Sequence, residues 1–263
     1  MLTFIKHREL EQSYQQFNFE DFMQLNGQIF RALENRKTQC IASSANTYFI
    51  KQHLGIGWKE IFKNLFSLRL PVVSAENEYR AIGLLAQLNI PTLKVVAYGK
   101  KGLNPASLKS FIMTEALQDI VSLEDLCRTW PVQAPTFTFK QALIKELARI
   151  ASLIHQHGLN HRDFYLCHFL LRLDNLPKVK LHVIDLHRAQ IRKKIPRRWI
   201  IKDLAGLYFS SLAIGLTQRD LLRFIQCYTQ CSFRTIQSSG MSFWLKVKER
   251  GDKLYKTHLS KGC

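Results

Sequence analysis

Short runs of β-branched and aromatic residues dominate the first part of the chain. They are bounded by turn-forming residues, which is the pattern of half-buried strands. Among them, a helix is predicted from about Ser74 to Leu88, because the pattern breaks before Asn89 and Pro91. The pattern therefore predicts a small twisted sheet with one helix. The strand-like runs are GQIFRA, KTQCIAS, TYFIKQH, TLKVVAYG and LKSFIMTEAL.

A helical period replaces the strand pattern from Lys140 to His157. Leucine and isoleucine recur there at i, i+4, i+7 and i+11, from Leu143 to Ile154, which predicts a helix with one buried stripe. Gly158 follows directly and is a natural helix terminator. We therefore expect a long buried helix that ends at this glycine.

Two short apolar runs, HFLLRL and VKLHVID, come next, and the chain beyond Arg198 is mostly helical in pattern. No repeat, low-complexity tract or linker divides the sequence, so we expect a single domain over residues 1–263. The order of elements predicts an α+β fold with the two lobes of a protein kinase. The N-terminal lobe would be β-rich, over residues 1–116 with an insertion at 55–72, and the C-terminal lobe helical, over 117–263.

The chain is strongly basic, since 38 Lys and Arg against 20 Asp and Glu give a net charge of +18. Such a surface attracts anionic partners. No nucleic-acid-binding motif is visible, so nucleic acid is not expected as a partner. Charged residues begin too early for a signal peptide, and no run approaches the roughly 18 apolar residues of a membrane span. The six cysteines lack zinc-site spacing, which predicts reduced thiols in the cytoplasm.

The carboxylates that phosphoryl transfer needs occur in the order found in kinases. Asp163 follows His161 and Arg162 in a predicted loop, where it can accept a proton from a hydroxyl. Asp185 ends the run VKLHVID, where a metal-binding carboxylate is expected. Five residues after Asp163, where kinases place asparagine, stands His168.

A cation for the nucleotide phosphates is expected from Lys51, in the run TYFIKQH. Its predicted partner is Glu78 of the next helix, with Glu76 as the alternative. The segment from Glu115 to Leu117 is expected to bind adenine through its backbone. Each feature alone has an ordinary structural explanation, such as a snorkelling lysine or a turn-capping aspartate. Their common order indicates a phosphotransferase.

Two features differ from a protein kinase. There is no glycine-rich loop, so phosphate contacts are expected from another backbone or from Arg36 and Lys37. No segment for holding a peptide follows Asp185, which favours a small-molecule or sugar acceptor. Further on, Asp203 either braces the catalytic loop or is a surface carboxylate beside Lys202.

Several longer segments closely resemble the lipopolysaccharide core heptose(I) kinase family of Gram-negative bacteria, over roughly residues 26–228. The resemblance implies a protein-kinase-like fold and transfer of the γ-phosphate of ATP to the first heptose of the inner core, with Mg²⁺. At the matching positions, Asp163 would be the catalytic base, Asp185 would bind Mg²⁺ and Lys51 would bind the phosphates. The segments are NHRDFYLCHFLL, VIDLHRAQIR, GIGWKEIFKNL, NEYRAIGLL and KDLAGLYFSSLAIGLTQRD.

The resemblance also accounts for His168, because the family's own loop carries histidine there. His168 is a candidate metal ligand, but neutral imidazole is a poor ligand for Mg²⁺, so we favour a hydrogen-bonding role. Phe164 stands where the family often has cysteine, and we interpret this change as packing.

The same resemblance implies an acceptor of the Kdo₂-heptosyl-lipid A type, an anionic lipid-linked sugar. The protein would be cytoplasmic and peripheral on the anionic cytoplasmic face of the inner membrane. Arg162, Arg188 and Arg192 are expected to contact the acceptor, the last two within the basic run RAQIRKKIPRR. Acylated acyl carrier protein, which is strongly acidic, is a further implied partner.

The segment GWKEIFKNLFSLRLP has two interpretations. Its composition suits a helix that rests on an anionic bilayer. The alternative is a helix packed onto the sheet, with its lysines in water. The apolar face would comprise Trp58, Ile61, Phe62, Leu65 and Phe66, and the surrounding cations Lys59, Lys63 and Arg69.

Two other functions remain open for this sequence. A protein kinase, perhaps specific for tyrosine, is disfavoured by the missing peptide-holding segment. A non-catalytic basic scaffold at the membrane surface would need neither Lys51 nor the two aspartates Asp163 and Asp185. We expect these three side chains to face one nucleotide pocket.

Overall fold

The computed structural model describes residues 1–33, 35–43, 46–67, 70–175 and 178–260. Two sequence predictions involve residues outside these ranges. They concern Arg69 among the cations of the amphipathic segment and the thiol of Cys263.

The chain forms two compact units. One comprises Met1–Leu84 and Leu93–Leu117, and the other Leu85–Thr92 and Gln118–Cys263. The first is built on an antiparallel sheet and the second is mainly helical, which confirms the predicted α+β fold class.

A six-stranded antiparallel sheet forms the frame of the first unit, in the order β1-β5-β6-β4-β3-β2. The predicted runs all become strands of it. Buried and half-buried side chains alternate along most of β4, whereas β6 is buried almost throughout. The strands are β1 (Leu2–Lys6), β2 (Gln28–Leu33), β3 (Arg36–Ala42), β4 (Thr47–His53), β5 (Val95–Lys101) and β6 (Lys109–Glu115). The helices are α1 (Gln12–Gln15), α2 (Phe19–Gln24), α3 (Gly57–Phe66) and α4 (Glu76–Gln87).

The N-terminal residues complete this sheet, which corrects the expectation of a sheet with one helix. Strand β1 pairs with β5, and α2 brings Phe22 onto Phe111 of β6, with ring centroids 4.8 Å apart. Both rings are fully buried. Burying a phenylalanine contributes about 1.5–3 kcal/mol, so the N-terminal segment is part of the core.

Two buried glutamines fasten the segment after α2 to the sheet. Gln39 Nε2 donates to Gln52 Oε1 over 2.7 Å, and Gln52 Nε2 donates to the carbonyl oxygen of Phe22 over 2.9 Å. Gln39 Oε1 accepts from the Gly27 backbone N–H. Since neighbouring side chains of a strand point to opposite faces, this clamp on Gln52 directs Lys51 of β4 to the other face.

Helix α3 exposes most of its apolar face. Of the five apolar residues predicted for that face, Ile61 alone is buried. Phe66 is 87% exposed, and the Trp58 ring stacks on that of Phe62. The helix is thus packed onto the first unit through Ile61, with the Lys63 side chain in solvent, and the rest of its apolar face is exposed.

Long helices form most of the second unit, together with two small sheets of order β10-β9-β7 and β11-β8. The predicted helix from Lys140 begins earlier, because the Thr136 side chain caps its N-terminus. The strands are β7 (Ile120–Ser122), β8 (Leu159–Asn160), β9 (Phe169–Arg172), β10 (Leu181–Val183) and β11 (Gln190–Ile191). The helices are α5 (Leu123–Cys127), α6 (Phe137–Gln156), α7 (Arg197–Ser211), α8 (Gln218–Thr229), α9 (Phe233–Thr235) and α10 (Met241–Ser260).

Gly158 joins the end of α6 to the strand pair β8–β11. Its φ of +82° is a left-handed conformation that favours glycine. A Cβ atom there would lie 1.8 Å from the carbonyl oxygen of Arg192, so no side chain fits. The Arg192 N–H donates to the Gly158 carbonyl over 2.9 Å. This close approach places the loop after β8 beside Arg192, the residue that follows β11.

No helix within the described ranges has both the length and the apolar character needed to cross a bilayer.

Candidate active site

The first unit holds a lysine–glutamate pair. Lys51 Nζ lies 2.7 Å from Glu78 Oε1, and the Glu78 side chain is almost fully buried. A buried carboxylate needs a cationic partner, so the pair fixes the Lys51 ammonium in one position. Glu76, the alternative partner, instead pairs with Lys100 and with Arg80.

The segment predicted to meet adenine follows the last strand of this unit. The Glu115 N–H donates to the Lys94 carbonyl, and the Ala116 N–H donates to the Thr47 carbonyl. These two N–H groups are therefore already paired with backbone carbonyls of the first unit. The next backbone N–H along the chain is that of Leu117.

In the second unit, a buried aspartate holds the loop that follows β8. Asp203 of α7 is 1% exposed, and its two oxygens accept the backbone N–H groups of His161 (2.7 Å) and Arg162 (2.9 Å). Arg162 has a φ of +74°, which is costly for a residue with a side chain. The bracing interpretation of Asp203 is thus confirmed, and the surface-carboxylate alternative is wrong.

A hydrogen bond of the His161 side chain also fixes the loop, by joining it to the segment before Asp185. His161 Nε2 lies 2.9 Å from the carbonyl oxygen of Ile184, just before Asp185. Complete burial is the main reason that the pKa of His161 is lowered, so the ring stays neutral and donates from Nε2. Phe164 is buried against His161 and Phe169, which confirms its packing role.

The loop presents the Asp163 carboxylate beside an arginine. Arg188 Nη1 lies 2.6 Å from Asp163 Oδ1, and 16% of the aspartate side chain remains exposed. The Asp163 carbonyl oxygen lies 2.7 Å from His168 Nδ1. Since a carbonyl oxygen can only accept, Nδ1 of His168 carries the hydrogen.

This tautomer determines what faces Asp185. His168 Nε2 lies 3.5 Å from Asp185 Oδ2, and a neutral ring would point a lone pair at the carboxylate. A cation between the two groups would remove this repulsion. On the other side, His187 Nδ1 lies 2.5 Å from Asp185 Oδ1.

This donor set fits a divalent cation that is completed by substrate. Within the described ranges, no cluster of three or more His, Cys, Asp or Glu side chains is arranged around a metal position. Magnesium in phosphate-transferring enzymes is held by one or two carboxylates together with substrate phosphates. The Asp185 carboxylate fits this pattern, and His168 Nε2, 3.5 Å from it, is the weaker ligand of the two.

The three arginines expected at the acceptor lie in this unit, and two of them share an aromatic partner that sequence reasoning missed. The guanidinium carbons of Arg162 and Arg192 lie 5.8 and 5.9 Å from the ring centroid of Trp199, on α7. Arg188 is the partner of Asp163. The run RRWIIKDL contained a signal, because tryptophan among cations is typical of cation–π contacts.

The second unit also contains an apolar cavity of about 340 Å³, and none of the charged groups described above lines it. Leucine and isoleucine side chains of α6 and α7 supply much of its wall. Among the residues that line it are Leu143, Ile144, Leu147, Leu204, Leu207 and Trp244.

Comparison with known proteins gives one consistent result. Residues 20–228 match the lipopolysaccharide kinase (Kdo/WaaP) family. The chain is 45% identical over 247 residues, 93% of both chains, to the lipopolysaccharide core heptose(I) kinase WaaP of Escherichia coli (strain K12). It is 44% identical to the enzyme of that name from Pseudomonas aeruginosa, over 90% of both chains.

Among solved structures, the chain is similar to one described as WaaP in complex with acyl carrier protein. The TM-score is 0.83 at 36% sequence identity, and the match covers 96% of this chain and 99% of the other.

Substitution of Asp203 tests the brace. In Asp203→Asn, an NH₂ group replaces one accepting oxygen, so a backbone N–H at 161 or 162 loses its partner. An unpaired buried donor costs about 1–3 kcal/mol. We expect a lower Tm and faster hydrogen exchange of these two amides. Asp252→Asn, which removes a half-exposed partner of Lys248, should change the Tm little. Unchanged exchange at both amides would contradict the brace.

Proposed function

Because the chain belongs to the lipopolysaccharide kinase (Kdo/WaaP) family, we propose that it transfers a phosphate group from ATP to heptose(I) of the lipopolysaccharide core. The observation that carries this proposal is the carboxylate of Asp163. It stands on a loop fixed by Asp203, with a guanidinium 2.6 Å away. Phosphoryl transfer requires this combination of positioning and charge neutralisation.

Asp163 is proposed as the catalytic base. As the acceptor oxygen bonds to the γ-phosphorus, the hydroxyl proton passes to the Asp163 carboxylate, and the bond from phosphorus to the bridging oxygen of ATP breaks. The Arg188 guanidinium contributes positive charge where the transferred phosphate gathers negative charge.

Nucleotide binding is assigned to residues of the first unit. Lys51, oriented by Glu78, would bind the phosphates, and the backbone at Glu115 and Leu117 would bind adenine. We propose that the chain is one kinase-like domain with two lobes, residues 1–116 with an insertion at 55–72, and residues 117–263.

Mg²⁺ would be held by Asp185 and His168. This differs from the hydrogen-bonding role that the sequence alone favoured for His168. His168 makes that hydrogen bond through Nδ1, which leaves Nε2 for the ion. When bound, Mg²⁺ would neutralise the charge on the nucleotide phosphates.

Acyl carrier protein is a proposed partner, in its acylated form. A similar structure was solved with acyl carrier protein. The net charge of +18 suits an acidic partner. The cavity lined by Leu207 and other apolar side chains suits an acyl chain, which gains about 0.8 kcal/mol for each buried CH₂ group.

We further propose that the protein is peripheral on the cytoplasmic face of the inner membrane, with α3 as its contact. Trp58 and Phe62 are each 51% exposed and Phe66 87%. Lys59 and Lys63 lie on the adjacent side of the helix, where they line a groove together with other polar residues. An apolar strip bordered by lysines is typical of helices that lie in the interface of an anionic bilayer.

Asp163→Asn tests the catalytic base. Wild-type and variant proteins would be incubated with ATP, Mg²⁺ and Kdo₂-heptosyl-lipid A, and the product analysed by mass spectrometry. We expect phosphate addition by the wild type and a loss of at least about 100-fold in the variant, because the proton has no acceptor. Asp174→Asn, at an exposed carboxylate of the same unit, is the matched control.

Near-wild-type activity of Asp163→Asn would overturn the assignment of the base. Phosphate on a protein substrate, with none on the heptose, would instead support a protein kinase.

Leu207→Trp tests the seat of the acyl chain, since a larger ring on the cavity wall would fill the space. Wild type should bind long-chain acylated carrier protein at least about tenfold more tightly than the non-acylated form. Leu207→Trp should bind both equally. Val132→Trp, at a position 96% exposed, should keep the preference. A preference retained in Leu207→Trp would place the acyl chain elsewhere.

Phe66→Asp tests the membrane contact. We expect it to reduce binding to vesicles that contain phosphatidylglycerol by about tenfold, measured by co-sedimentation, because it places a charge in the apolar strip. Val132→Asp makes the same change of net charge at another exposed apolar position and should bind as wild type does. Equal loss in both variants would indicate a general charge effect rather than docking through α3.

A further inference from the structure

Four cations surround one aromatic ring in the second unit. The distances from their charged groups to the ring centroid of Trp199 are 5.8 Å for Arg162, 5.9 Å for Arg192, 5.5 Å for Arg198 and 5.3 Å for Lys202. We call these four residues and Trp199 the Trp199 cluster. A tryptophan ring attracts cations within about 6 Å of its centroid, so it holds the four charges together against their repulsion.

The positive charge of the Trp199 cluster is not balanced by carboxylates. Among the described residues, none of its four cations forms a salt bridge. Arg192 donates to side-chain amide oxygens of Asn160 and Gln190, which are neutral. The nearby Asp203 is occupied by two backbone N–H groups, and Asp163 is paired with Arg188.

This imbalance has an energetic cost. Burial, followed by neighbouring positive charges, lowers the pKa of Arg162 and of Arg192. The pKa of Lys202 is lowered by burial first and then by Arg162, Arg188 and Arg250. Arg162 is 6% exposed, and its buried Nε has no hydrogen-bond partner within the described structure. A bound anion would neutralise charge and satisfy this donor.

The cluster is directly connected to the proposed base. Arg162 precedes Asp163 in the braced loop, and Arg188, the partner of Asp163, is close enough to Arg162 and Lys202 to lower the pKa of each. An anion bound to the cluster would therefore lie near Asp163 and so near the acceptor hydroxyl from which Asp163 takes the proton. The three guanidinium groups can bind a carboxylate or a phosphate in a bidentate manner.

We propose that the Trp199 cluster binds the carboxylate of a sugar acid joined to the heptose that is phosphorylated. This inference rests on the proposed function and identifies how the acceptor would be recognised. Trp199 is a positioning residue, because it acts by holding the cations, and Lys202 and Arg198 are additional acceptor contacts beyond the three predicted arginines. A sugar without the acid neighbour would leave the cluster uncompensated and would be a poor acceptor.

The test compares two acceptors, Kdo₂-heptosyl-lipid A and the same molecule with its sugar carboxylates converted to methyl esters. For wild type, esterification should raise the KM for the acceptor about tenfold or more, because hydrogen bonds to charged groups are lost. The lipid A phosphates are unchanged between the two acceptors, so they cannot produce this difference.

Lys202→Met should raise the KM for the native acceptor by about the same factor, with the KM for ATP unchanged. With the esterified acceptor, Lys202→Met should raise the KM little further, because esterification and the substitution each remove the same interaction between Lys202 and the carboxylate. Lys145→Met, at an exposed lysine of α6, should match wild type with both acceptors.

Trp199→Leu and Trp199→Phe test the positioning role. The leucine variant should lose the discrimination between acceptors, and the phenylalanine variant should keep much of it, because a ring remains. Thermal melting of both variants shows whether they are folded. If Trp199→Leu unfolds, Lys202→Met and Arg198→Gln still decide the question.

The outcomes are distinct. If wild type phosphorylates neither acceptor, the proposed function fails. If it phosphorylates both with equal KM, only this inference fails. If Lys202→Met weakens both acceptors equally, or changes the KM for ATP, the cluster binds lipid A phosphate or nucleotide and not the carboxylate.

Discussion

The hydrogen bonds from the backbone of His161 and Arg162 to Asp203 are the constraint on which the candidate active site of the second unit depends. They hold Arg162 at a positive φ, and the turn that results presents the next side chain, Asp163. A buried carboxylate with two donors is itself satisfied, so the arrangement costs little once formed. The loop is thus positioned by Asp203 of α7 rather than by its own sequence.

Electrostatics then divide the second unit into separate environments. His161 is buried and neutral, and it stacks on His168, whose tautomer follows from its bond to the Asp163 carbonyl. Close by, Arg188 and the Trp199 cluster concentrate positive charge. The cavity around Leu207 is almost entirely apolar. Of the net charge of +18, the positive charges of Arg188 and the Trp199 cluster are thus grouped beside Asp163.

The strands and long helices could be predicted from sequence because their periods are local. What the sequence could not settle depends on contacts between distant residues. Glu76 and Glu78 both lie in the first turn of α4, and only the packing of that helix shows that Glu78 meets Lys51. Strand β1 is short and pairs with β5, far along the chain, so it has little local signal. The Trp199 cluster likewise joins a residue of the loop after β8, the residue that follows β11, and three residues of α7.

Gly158 has a consequence for how this protein can diverge from its relatives. Its backbone contacts that of Arg192, so the end of a buried helix sets both the start of the loop that carries Asp163 and the position of the arginine that follows β11. A mutation to any larger residue would displace both together. Under the proposed function, the base and the residues that recognise the sugar would therefore be inherited as a pair. Divergence toward a new acceptor would then proceed by exchanging side chains around Trp199, while the backbone that carries them stays unchanged.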